Sequence, residues 1–267
     1  MLSIGIAQIQ NSTDVPRNVR TMRKCLALLA LKDVNLVVFP ECSLTGFSPK
    51  LTASTPAELG GYIDEFSQWS RDHDIAVVLP TALTDGAIYN TGFYIHQGKA
   101  TPFYKLGLTP SETGFFSTPA DYTKSVFSLR GFRFLPLICM EAQQDPWTYF
   151  KPGDVDFLLW PGYWGWEKDD LWSPLKKDGD PNPIFQNVAQ WRVPLIQANF
   201  AYNEGKAPEI RGPHGLSRVV GSDNTLCFQA AFHRESCFWF TLEKSADACV
   251  VSGFRELVME PAYTQNA

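Results

Sequence analysis

Apolar and polar positions alternate with period two through the first ten residues, then switch from Val15 to about Leu31 to the three-to-four spacing of a helix with one buried face. The pattern predicts a strand over residues 3–10 and a helix behind it, with Ser12, Thr13 and Asp14 available as caps. Residues 36–41 form an apolar run that stops at Pro40-Glu41, as a strand buried on both faces does, and residues 57–73 return to helical spacing. The runs 75–84 and 87–96 flank Asp85-Gly86, a pair suited to a tight turn, so a hairpin is predicted and the sheet is mixed.

The second half repeats this alternation. Strands are expected over 124–129 and 132–139, joined at Arg130-Gly131, then a short helix at Pro146 and a strand over 155–160. A long aromatic and acidic loop runs to about Asp180, followed by a helix over 183–192 and a strand over 194–199. Strands over 217–221, 225–233 and 237–242 suggest a closing hairpin region, and the last twenty residues read as a peripheral tail.

Composition narrows the class. A chain of 267 residues that is 45% hydrophobic, 13% aromatic and only 19% charged has the material for one large domain and is unlike a disordered segment. Net charge is −5 with no block of like charges, which leaves no footprint for nucleic acid. The start lacks the basic and apolar regions of a secretory signal, and no apolar run reaches the roughly 18 residues that cross a bilayer. A cytoplasmic protein without membrane or nucleic-acid partners is therefore expected. The six cysteines show no CxxC spacing, which suits a reduced compartment, and Asn11-Ser12-Thr13 reads as a turn and cap.

Two polar or reactive side chains stand where predicted strands end. Glu41 follows Val37-Val38-Phe39-Pro40, and Cys139 follows Leu135-Pro136-Leu137-Ile138. In open sheets this is where loops converge on a ligand. Taken alone, Glu41 reads more readily as a helix cap or surface charge than as a catalytic base, and Cys139 more readily as a small buried hydrophobe. The nucleophile motif G-x-S-x-G, the dinucleotide motif G-x-G-x-x-G and clustered histidine ligands are absent from the sequence, so serine hydrolase, dinucleotide and metal chemistry find no support, and no cofactor or metal is expected.

Phe39-Pro40-Glu41, then Tyr104-Lys105 with Leu108 and Glu112, then Ile138-Cys139-Met140-Glu141 are similar, in order, to the three motifs of the nitrilase superfamily of carbon–nitrogen hydrolases. Asn199 and Gly215-Leu216-Ser217 also fall where that family would have them. The resemblance implies an α/β fold, a four-layer αββα sandwich of two mixed sheets flanked by helices, with residues 1–245 as the hydrolase domain and 246–267 as the tail. It also implies a homodimer or higher homo-oligomer. The activity implied is hydrolysis of a small-molecule amide, nitrile or carbamoyl compound through a cysteine thioester.

On this reading Cys139 is the nucleophile, Glu41 the base and Lys105 the cation beside the oxyanion, with the Met140 N–H assisting; Glu112 orients Lys105 or the substrate amine. Glu141 reads as structural support, and Cys42, facing the other way from Glu41, as packing. Trp160, Tyr163 and Trp164 either wall the pocket or form a surface or dimer cluster. Glu167, Asp169 and Asp170 either attract a cation or are simply solvated. His214 is expected to be structural. Met140 stands where defined subgroups carry an aromatic residue, which leaves amide against nitrile open, although the short chain favours a linear amide. A catalytically silent binding protein of the same fold is the other alternative.

Overall fold

The computed structural model describes residues 1–48, 54–204, 214–245 and 248–259. Its first half contains β1 (Leu2–Gln8), α1 (Val15–Ala30), β2 (Leu36–Val38), α2 (Pro56–His73), β3 (Ala76–Asp85), β4 (Ala87–His96) and β5 (Lys99–Tyr104). The second half adds β6 (Phe127–Leu129), β7 (Phe132–Pro136), β8 (Phe157–Gly162), α3 (Pro183–Trp191), β9 (Leu195–Asn199), β10 (Arg218–Val220), β11 (Leu226–Gln229), β12 (Ser236–Lys244) and β13 (Cys249–Val258). The helices begin where capping chemistry allows: Asp14 accepts from the Arg17 N–H, Thr55 and Glu58 form a capping box, and Asn182 caps α3.

Two sheets result, in the orders β13-β12-β1-β2-β3-β4-β5 and β11-β10-β9-β8-β7-β6. Both are mixed. β1, β2 and β3 run parallel, as do β7, β8 and β9, while the flanking strands pair antiparallel. Strand alternation divides the apolar side chains between three layers. Ile4, Ile6, Val38, Phe134, Phe157 and Leu159 meet between the sheets. Val37 and Leu79 turn outward onto Met22, Leu26 and Phe66 of α1 and α2, and Leu158 and Leu195 turn outward onto Ile184 and Val188 of α3. This is the expected four-layer αββα sandwich.

Three expectations are corrected. Residues 99–104, left unassigned in the sequence, form the edge strand β5, where Pro102 is tolerated because an edge residue need not donate to a second neighbour. Part of the expected tail is β13, paired with β12 along residues 249–258 and mostly exposed, as an edge strand is. The short helix expected at Pro146 is a turn; the helical turn comes earlier, as a 3-10 segment over Cys139–Gln143.

The topology decides where chemistry can gather. β5 is antiparallel to β4, which is antiparallel to β3, so β5 ends on the same edge as β2. The segments after β2, β5, β7 and β8 carry Glu41, Lys105, Cys139 and Tyr163 respectively. Hydrogen bonds between these segments bring the strand ends of both sheets together.

Candidate active site

Glu41 is fully buried just beyond β2, and three donors fix it. Its Oε1 accepts from Lys105 Nζ and from Asn90 Nδ2, both at 2.7 Å, and its Oε2 accepts from the Tyr163 N–H at 2.9 Å. Lys105, equally buried, also donates to Glu112 Oε1 at 2.6 Å, and Glu112 Oε2 accepts from the Thr109 N–H at 2.7 Å. One ammonium thus lies between two carboxylates. Burial works against the Lys105 charge, but the Glu41 and Glu112 carboxylates outweigh it and hold the group above the usual lysine range. An ammonium has three N–H donors. Two are taken by the glutamates among the described residues, which leaves one for a ligand.

Cys139 ends the β7 arm in the left-handed region, at φ 50°. A non-glycine residue there stores about 1–3 kcal/mol of strain, held by its surroundings. The Cys139 carbonyl accepts from Trp160 Nε1 at 2.8 Å, which clamps the turn from below. Sγ lies 4.0 Å from the Tyr163 carbonyl oxygen. Burial pushes the thiol up and the Glu41 charge adds to this, while Lys105 and the Tyr163 backbone oppose it; the net shift is upward, which favours the thiol at rest. Met140 follows in the first turn of the 3-10 segment, where backbone N–H groups lack partners within the helix.

Glu141 joins the segments that carry Lys105 and Cys139. Its Oε1 accepts from the N–H of Leu106 at 2.7 Å and of Gly107 at 3.3 Å, and its Oε2 accepts from the Ile138 N–H at 2.6 Å and Lys124 Nζ at 2.5 Å. It therefore holds the residue after Lys105 against the residue before Cys139, the structural support expected of it. Burial lowers the Lys124 pKa against the pull of Glu141. Glu141→Ala would strand that buried ammonium and several N–H groups. Urea denaturation is expected to show a loss of about 3–5 kcal/mol, and a loss under about 1 kcal/mol would contradict the bridging role.

A cleft of about 990 Å³ opens over Cys139 and Met140, with Thr109, Gln143, Tyr163 and Trp164 around them and the 165–178 loop beyond. Tyr163 and Trp164 are thus cleft walls. Trp160 is not: strand parity carries it, with Leu158, to the outer face of the second sheet, where it is 1% exposed beneath Cys139. Glu167 and Asp169 are both bridged by Lys177, at 3.1 and 3.0 Å, and the Asp170 carboxylate accepts from the Glu167 N–H at 2.7 Å, so the loop's own contacts engage these acids. His214 Nδ1 lies 3.2 Å from the Trp164 carbonyl and Nε2 lies 3.0 Å from Asn203 Nδ2. Donation from Nδ1 and acceptance at Nε2 satisfy both contacts in one neutral tautomer, consistent with the lowering of its pKa by burial. Cys42 packs with Ala82 and Phe116, its sulfur 3.6 Å from Asn90 Oδ1. Among the described residues no group of three or more His, Cys, Asp or Glu has the arrangement to hold a metal ion, and no helix is long and apolar enough to cross a membrane.

Sequence reasoning missed Asn90, because a polar residue inside a half-buried strand reads as outward-facing; only the folded sheet turns it onto Glu41. Lys124 and the pairing of Asn199 with both backbone groups of Trp164 were likewise invisible, since each depends on segments far apart in sequence.

A four-layer αββα sandwich with a carboxylate–ammonium–carboxylate group and a thiol at the joined strand ends is an architecture for a hydrolytic enzyme. The family model described as carbon–nitrogen hydrolase matches residues 3–153, and the chain belongs to that family. An (R)-stereoselective amidase from Pseudomonas sp. is 34% identical over 115 residues, 42% of this chain and 41% of that protein, so the match spans less than half of the relative. The omega-amidase YafV of Escherichia coli is 22% identical over 227 residues, covering 83% of this chain and 81% of that protein. Among solved structures, a mutant of the amidase from Nesterenkonia sp. AN1 carrying acrylamide at its active-site cysteine superposes with a TM-score of 0.72 at 16% identity, covering 90% of this chain and 92% of that one. The glutamine-dependent NAD+ synthetase of Acinetobacter baumannii gives a TM-score of 0.71 at 18% identity, over 92% of this chain and 48% of that one. At these identities the superpositions establish the fold, and they bear out the sandwich expected from the sequence.

Proposed function

We propose that this carbon–nitrogen hydrolase cleaves linear amides of small carboxylic acids, with Cys139 as nucleophile, Glu41 as general base and Lys105 as the oxyanion cation. The observation that carries the reading is the convergence of these three side chains: Lys105 at 2.7 Å from Glu41, with both charges bearing on the Cys139 thiol at the head of an open cleft. The amidase and omega-amidase names of the relatives support amides over nitriles.

Sγ attacks the carbonyl carbon while its proton passes to Glu41, the order a resting thiol requires. The carbonyl π electrons move onto oxygen, where the remaining Lys105 N–H and the Met140 N–H receive them. Collapse re-forms the carbonyl, breaks the carbon–nitrogen bond and returns the proton from Glu41 to the leaving amine. Glu41 then takes a proton from water as it attacks the thioester, and on collapse gives it to the departing sulfur, so the carboxylic acid product leaves and the Glu41 carboxylate and Cys139 thiol are both regenerated. Glu112 neutralises Lys105 from its far side and keeps the ammonium aimed between base and cleft.

The test is ammonia release from short aliphatic amides, ω-amides of dicarboxylic acids, carbamoyl amines and nitriles, with hydroxylamine added in parallel. Amide-dependent ammonia release with hydroxamate formation is the expected result, because a thioester acylates hydroxylamine. Ammonia from nitriles alone would overturn the amide assignment, and silence across the panel would favour a binding role.

A further inference from the structure

The wall of the cleft beyond Trp164 is held by polar side chains from β9 and β10 that the reaction scheme does not use. Asn199 Oδ1 accepts from the Trp164 N–H at 2.8 Å and its Nδ2 donates to the Trp164 carbonyl at 2.9 Å. Gln197 Oε1 accepts from Trp166 Nε1 at 2.8 Å. Arg218 sits over the Trp166 ring, Cζ 3.8 Å from its centroid, and its Nη2 donates to the Asp170 carbonyl at 2.6 Å. The three contacts follow the order of the wall, at 164, 166 and 170, and the segment closes on itself through the Asp170 N–H to the Glu167 carbonyl at 3.1 Å. Trp164, Trp166 and Asp170 all line the cleft that contains Cys139.

The cost of this arrangement is its most telling property. Arg218 is 1% exposed, and among the described residues no carboxylate lies within ion-pair distance and neither Nε nor Nη1 has a hydrogen-bond partner. Burial lowers its pKa to about 10. A buried cation that has no ion pair among the described residues, and only a longer-range pull from the Asp170 carboxylate, is expensive, and an apolar side chain of similar volume packs the same space at less cost. Packing stability therefore does not account for it. Arginine alone combines a planar face for a tryptophan ring with N–H groups in the same plane for a carbonyl. We propose that Arg218, with Gln197 in support, is a specificity-determining positioning residue that holds Trp166 and the turn to Asp170 in place and so limits the size of the group that reaches Cys139. The proposal rests on Cys139 being the reacting atom of the proposed function.

The test reads Cys139 alkylation, mapped by mass spectrometry, with 2-chloroacetamide and its N-propyl and N-benzyl derivatives, in wild type, Arg218→Met, Arg218→Lys and Trp166→Phe. Arg218→Met is expected to react with 2-chloroacetamide within about twofold of wild type and to narrow the ratio between smallest and largest reagent roughly tenfold, the scale on which a pocket wall discriminates. Its Tm is expected not to fall. Arg218→Lys keeps the charge without the planar fork and should not restore the ratio. Trp166→Phe leaves Arg218 in place and should narrow the ratio as well, so it carries the test if Arg218→Met fails to fold. An unchanged ratio in the folded variants, or an equal slowing with every reagent, would overturn the assignment. Absence of amide turnover in wild type would sink the proposed function and leave this ratio to stand or fall independently.

Discussion

Glu41→Gln is expected to cut amide turnover roughly 10³-fold, the middle of the range for a general base, while the protein melts within a few degrees of wild type. The geometry separates the two effects. A glutamine oxygen can still accept from Lys105 and Asn90, and Lys105 keeps Glu112 at 2.6 Å as a one-to-one partner, so no charge is left uncompensated. The cost is confined to the other oxygen position, where an NH₂ group would face the Tyr163 N–H and one hydrogen bond is lost, at about 1 kcal/mol. The amide cannot take the thiol proton, and the Cys139 thiol stays protonated because burial holds its pKa up. Cys139→Ala removes the nucleophile outright and should leave no turnover and no hydroxamate. Steady-state ammonia release and thermal unfolding, measured on both variants, decide the matter. A Glu41→Gln enzyme within tenfold of wild type would remove Glu41 as the base, and wild-type activity in Cys139→Ala would remove the thioester.

Two of the residues that carry this prediction sit immediately after strongly patterned strands, and the roles given to all three came from their likeness to the family motifs. Glu41 and Cys139 follow apolar strands whose ends a linear reading can locate, and Lys105 enters through its spacing to Glu112 and its likeness to the family motif. Strand–helix alternation and the Asp85-Gly86 turn gave a mixed sheet with helices, whereas the four-layer αββα arrangement came from the likeness to the family motifs. What stayed hidden was set by tertiary contacts. Asn90 is polar in a strand, and its inward position depends on β4 pairing beside β5. Trp160 read as either a pocket wall or part of a surface cluster because it opens the same aromatic segment as Tyr163 and Trp164, yet counting faces from Leu158 sends it under the Cys139 turn instead. The 3-10 turn at Cys139–Gln143 was expected further on, near Pro146. Its stability comes from Glu141 binding N–H groups more than thirty residues away, which no local propensity reports.

Lys105→Met is expected to damage stability and catalysis together, which sets it apart from Glu41→Gln. Removing the ammonium leaves Glu41 and Glu112 buried, with the oxygens that had been 2.7 and 2.6 Å from one cation now facing the same apolar methyl group. Stranding buried charge in this way costs about 3–5 kcal/mol, a large share of a typical domain's stability. The pH dependence follows with a definite sign. Two like charges in one dry site favour a shared proton, so in this variant a carboxyl binds its proton more tightly folded than unfolded. That contribution to stability is full below the unfolded carboxyl range, near 4, and is lost as pH rises, so urea denaturation should find the variant more stable at pH 5 than at pH 8. Where it remains folded, the missing oxyanion donor should lower turnover by about 10²–10³-fold. Adding Glu112→Gln to Lys105→Met removes one of the two charges and should recover much of the stability without recovering the rate. A Lys105→Met protein as stable as wild type at pH 8 would mean that the carboxylate–ammonium–carboxylate group does not hold the site together. Recovery of activity in the double variant would assign the oxyanion role to a group other than Lys105.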